Sequence, residues 1–79
     1  MQRYLVVIEP AGRNYSAYSP DLPGCVATGA TREETHTKMK QAIAVHLHGL
    51  REDHQPIPEP AASAEVVEVA GKARRQSPR

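Results

Sequence analysis

Apolar residues follow three different patterns along the chain, and each predicts a different element. From Arg3 to Glu9 they run without a break through Tyr4, Leu5, Val6, Val7 and Ile8, most of them aliphatic, which reads as a strand. Tyr4, Val6 and Ile8 take one face, Leu5 and Val7 the other. Apolar residues on both faces predict a central strand covered on both sides. The helix can cover one face; the other needs a second subunit, a partner or the C-terminal segment. Pro10 to Asn14 reads as a hairpin loop, Tyr15 to Tyr18 as the returning strand and Cys25 to Thr28 as a short third strand. From Thr31 to about Asp53 the spacing changes. Thr35, Met39, Ala42, Ile43, His46, Leu47 and Leu50 recur every three or four residues, the stripe of one long amphipathic helix. Lys38, Lys40, Gln41, His48 and Arg51 fill its outer surface. Prolines at 56, 58 and 60 then force an extended connector. Ala64 to Val69 (AEVVEV) reads as a fourth strand, which a right-handed crossover would set parallel to a neighbour such as strand 1. The expected fold class is α+β: a single βββαβ domain over residues 1–70, with a small mixed sheet and one helix on a face. Residues 71–79 form a basic tail without apolar periodicity, expected to be disordered.

The densest local signal lies between Tyr18 and Glu34. The two X-Pro steps push Ser19 and Leu22 toward extended geometry. Asp21 reads as a turn residue, and Pro23-Gly24 suits the centre of a type II turn. Gly29 lets the chain reverse, and Thr31 with Glu34 three residues on spells a capping box.

Charge and cysteine content narrow the function classes. Residues 1–71 hold six Lys/Arg against all nine acids, a balance of −3, whereas residues 72–79 hold four basic residues and no acid. An acidic body is a poor nucleic-acid platform and a reasonable surface for a basic partner protein. Lys72, Arg74 and Arg75 are the possible nucleic-acid contacts, and without aromatic residues they offer only weak, sequence-blind binding. One cysteine in 79 residues forms no internal disulfide and suits a reducing cytoplasm. No apolar run is long enough for a membrane span. A core of this size rarely supplies more than ~3–5 kcal/mol, so self-association, at least to a homodimer, is expected to supplement it.

Candidate catalytic groups each have a simpler reading. Glu9, Asp21 and Glu33 or Glu34 could form a carboxylate site for Mg²⁺ of the kind ribonuclease-H folds use, since those folds also open with three antiparallel strands and a helix. Such a site needs an acid in the middle of strand 1, where this chain has Leu5-Val6-Val7. His46 falls on the apolar stripe and His48 points elsewhere, so the two share no metal. Cys25 reads as a small buried side chain. No cofactor, metal or catalytic residue is expected.

The order Pro20-Asp21-Leu22-Pro23-Gly24-Cys25, then Gly29-Ala30-Thr31 and Glu34, then Ala42 to Asp53 and Ile57-Pro58-Glu59-Pro60, resembles the HicB-like antitoxins of prokaryotic toxin–antitoxin pairs over roughly residues 2–70. The resemblance implies a partial, catalytically inactive ribonuclease-H-like fold. It also implies an antitoxin that binds a small basic HicA-type toxin, an mRNA-cleaving protein, and occludes its active site. The motif residues Pro20, Asp21, Leu22, Pro23, Gly24, Gly29, Thr31 and Glu34 are expected to be structural. Many HicB proteins continue into a DNA-binding domain, and this chain has a short basic tail there, so DNA binding of its own is not expected. The alternatives are a solitary oligomeric module of the same fold with another partner or ligand, and a residual metal-dependent nuclease.

Overall fold

The computed structural model describes residues 2–71. Within them β1 (Val7–Ala11), β2 (Asn14–Tyr18), β3 (Val26–Gly29) and α1 (Arg32–Glu52) follow in that order, a small α+β unit of βββα type. The three strands pair antiparallel in the order β1-β2-β3. The sheet is therefore antiparallel, not mixed, and β2 is central. β1 is an edge strand, which corrects the expectation of a central one: short hairpin connections set neighbours side by side, and nothing in the described chain pairs with the far side of β1. Pro10, expected at the start of the hairpin loop, lies inside β1 opposite Tyr15, a position an edge strand tolerates because it can turn the missing N–H outward. The hairpin loop shrinks to Gly12-Arg13, with Gly12 at φ 64° as a two-residue turn with glycine first requires.

Two overlapping turns carry the chain from β2 to β3. Leu22 N–H donates to Ser19 C=O at 3.1 Å, and Cys25 N–H donates to Leu22 C=O at 3.1 Å. The first turn has Pro20 and Asp21 at its centre; the second has Pro23 and Gly24, with Gly24 at φ 83°, the type II requirement. Leu22 joins the two and is fully buried, with Ala17, Cys25 and Met39. Tyr4, Val6, Ile8, Ala27, Ala42, Ile43 and Leu47 pack around this centre.

The helix stripe runs as expected: Thr35 and Met39 are buried, Ala42, Ile43, His46, Leu47 and Leu50 half-buried. Its C-terminus closes with His54 N–H to Arg51 C=O and Gln55 N–H to Leu50 C=O, and His54 sits at φ 55°. That is a Schellman arrangement with histidine where glycine usually stands. Pro56 then prevents continuation.

The fourth strand is not formed within the described chain. From Ser63 to Gly71 the backbone has no strand or hydrogen-bond partner among the described residues, and Val66, Val67 and Val69 are exposed. A strand exists only as half of a ladder, and this segment pairs with no edge among the described residues. The Cα radius of gyration is 16.1 Å, where a compact chain of this length has about 12 Å.

Candidate functional site

The motif between Pro20 and Glu34 forms two turns, a short strand and a helix cap. Thr31 caps the helix: its Oγ1 accepts from Glu34 N–H at 3.0 Å, and its C=O accepts from Thr35 Oγ1 at 2.6 Å. Glu34 Oε1 accepts from Ala30 N–H at 2.8 Å, one residue before the cap residue that a reciprocal capping box would use. That backbone bond first, and then Lys38 at 3.3 Å, hold the Glu34 carboxyl below the usual carboxylate range. Its contribution to stability is therefore present above the unfolded-state pKa and lost as pH falls through the lowered folded value. Gly29 ends β3 without a positive φ, so chain reversal is not its role. A Cβ there would lie 2.6 Å from Thr35 Oγ1 and 2.8 Å from Thr35 N. Glycine lets β3 and the first helical turn touch.

Asp21 does more than make a turn. Its Oδ2 accepts from Ala61 N–H at 3.1 Å and Ala62 N–H at 3.0 Å, and Tyr4 OH donates to Pro58 C=O at 2.5 Å. Together they fasten the Pro-rich connector to the β2–β3 turn and to the segment that precedes β1. Sequence reasoning missed this role, because a bond across forty residues leaves no local mark.

The carboxylates do not converge. Among the described residues no three His, Cys, Asp or Glu side chains come together in a metal-holding group, and every acid except Asp21 is exposed. Cys25 is buried, and desolvation raises its thiol pKa above the ordinary value, which disfavours the nucleophilic thiolate. Ser19 Oγ is buried with no partner among the described residues. Lys72, Arg74, Arg75 and the rest of the expected disordered tail beyond Gly71 lie outside the described residues. Among the described residues, no helix is long and apolar enough to cross a membrane.

What the described chain offers is surface. The helix lies over β3 and β2 and touches β1 least. Tyr4, Val6, Ile43, His36 and Lys40 line an open groove between the β1 side and the helix. On the opposite sheet face the register aligns Val7, Tyr18 and Val26 across all three strands, and Tyr18 and Val26 are exposed. Beyond β3 a second open groove, lined by Val26, Lys38, Gln41, Ala42, Val45 and His46, has a volume of about 600 Å³.

A family model described as the HicB-like antitoxin of bacterial toxin–antitoxin systems matches residues 4–73. The chain belongs to the HicB-like antitoxin family. This HicB-like chain is also similar to three curated proteins. It is 36% identical over 55 residues to an uncharacterized 14.9 kDa protein of Haemophilus phage HP1, covering 70% of this chain and 41% of the phage protein. It is 36% identical over 56 residues to a UPF0150 protein of Synechocystis, covering 70% and 71%. A UPF0150 protein of Thermoplasma acidophilum is 32% identical over 57 residues, covering 71% and 83%. The match thus spans less than half of the phage protein's length. No solved structure matches this HicB-like chain significantly.

Proposed function

We propose that this chain is the antitoxin that binds a HicA-type, mRNA-cleaving toxin and occludes its active and RNA-binding surface, without catalysis of its own. The observation that carries the reading is the family match through nearly the whole chain. Physical chemistry supports it from a second side. The −3 balance of residues 1–71 is spread over exposed carboxylates and accompanied by uncovered apolar surface. That combination suits a basic protein partner better than a polyanion. The chain acts in the cytoplasm, where its target works and a single cysteine stays reduced. It self-associates, at least to a dimer, and uses no cofactor. The motif residues from Pro20 to Glu34 shape the binding body and do not react.

Co-expression with the short reading frame adjacent to its gene tests the reading. That neighbour alone should arrest growth, and the pair should grow and purify as one complex. Growth arrest that persists when both are made, with no complex on pull-down, would contradict it.

A further inference from the structure

Three surfaces left unfilled by the single chain fit one another. The first is the arm from Ala64 to Val69. Val66 is 96% exposed, Val67 75% and Val69 79%, three valines within four residues that water would not keep apart from apolar surface. The second is the outer edge of the sheet: β1 is paired on one side only, and residues 3–6 continue it without a strand partner. The third is the groove between that edge and the helix, floored by Tyr4, Val6 and Ile43 and rimmed by His36 and Lys40.

We propose that two copies of this chain exchange their arms, residues 64–69 of each adding as a fourth strand beside the β1 edge of the other. The proposal deepens the self-association stated above and is independent of the toxin. An added strand turns alternate residues to opposite faces. One face of the arm carries Ala64, Val66 and Glu68, the other Glu65, Val67 and Val69. Whichever face turns inward, at least one valine enters the Tyr4–Val6–Ile43 groove and one glutamate comes up beside Lys40. The other face extends the row of Leu5 and Val7 on the back of the sheet. Both patterns match in apolarity and in charge.

The arm's anchorage favours exchange over folding back. Asp21 and Tyr4 fix the connector up to Ala62, and Ala62 lines one shallow pocket with Arg3, Tyr4 and Leu5. The arm thus leaves the body next to an open edge and still does not pair with it. Prolines at 56, 58 and 60 keep its root extended, and a stiff root that projects a strand outward is the geometry of swapping between identical chains. The family match runs through the arm to residue 73, so the arm belongs to the module.

Light scattering on the full chain without toxin should give twice the 8.6 kDa chain mass at micromolar concentration. In the same sample, amide exchange of residues 64–69 should be slowed at least tenfold relative to an unstructured peptide. In a Cys25→Ser background, Leu5→Cys combined with either Val66→Cys or Val67→Cys should give, in one of the two pairs, a disulfide between chains on a non-reducing gel. A monomer overturns the proposal. So does a dimer whose arm exchanges freely, although self-association then stands. A protected arm with the disulfide closed inside one chain overturns it in favour of a strand folded back on its own sheet. An arm that becomes protected only on the toxin overturns it in favour of toxin docking, with the antitoxin reading intact.

Discussion

Cys25 to Thr28 and Ala64 to Val69 are both short segments flanked by irregular chain, and in each, half of the residues are β-branched. Only the first contributes a strand. β3 is delivered to its neighbour by two turns that share the buried Leu22, and it is held from above by the capped helix touching Gly29. The arm follows a stiff proline-rich root and pairs with nothing among the described residues. The difference teaches that strand formation here follows the placement of the segment, and that intrinsic preference is secondary.

Breaking the well-held region should have the largest effects. Leu22→Ala empties the centre of the core and should lose about 2–5 kcal/mol, comparable to what a domain of this size has in total. Circular dichroism should show it largely unfolded at 25 °C; a cooperative melt near the wild-type temperature would show that the turn pair does not organise the core. Gly29→Ala forces β3 and Thr35 apart and should lose roughly 1–3 kcal/mol, read as a lower midpoint in urea.

The arm's root should respond differently. Asp21→Ala removes the carboxylate oxygen that accepts from two backbone amides and should lose only ~0.5–1.5 kcal/mol, while amide exchange at Ala61 and Ala62 speeds up by tenfold or more. Equal loss of protection in β3 would erase the distinction between the two regions. The smallest effect is a gain. His54→Gly removes about 1–2 kcal/mol of left-handed backbone strain and adds roughly 0.4–1 kcal/mol of unfolded-state entropy. A thermal melt should rise by a few degrees or less.

Much of the fold was legible because its signals are local. The three- and four-residue spacing from Thr35 to Leu50 gave the helix and its buried face, and Thr31 marked its start. Pro23 and Gly24 state their turn through the dihedral angles they prefer. Strand order was less legible: the two-sided apolar run of Tyr4 to Ile8 suggested a central strand, yet its outer side is an unpaired edge in the single chain. The same gap explains the fourth strand, since AEVVEV has strand character without a partner inside the chain. Asp21 looked like a turn residue because its bonds to Ala61 and Ala62 join positions forty residues apart. Gly29 looked like a hinge, and only the nearness of Thr35 shows why a side chain has no room there. For the site, the turn-and-cap string pointed to the family, while nothing local indicated which surfaces the fold leaves open.

The antitoxin reading is tested most directly by adding purified chain in steps to the purified neighbouring toxin and following cleavage of a single-stranded RNA. Cleavage should fall in proportion to added chain and stop near stoichiometric equivalence, with no cleavage by the chain alone. Undiminished cleavage at a large excess of chain, or Mg²⁺-dependent cleavage by the chain itself, would contradict the account.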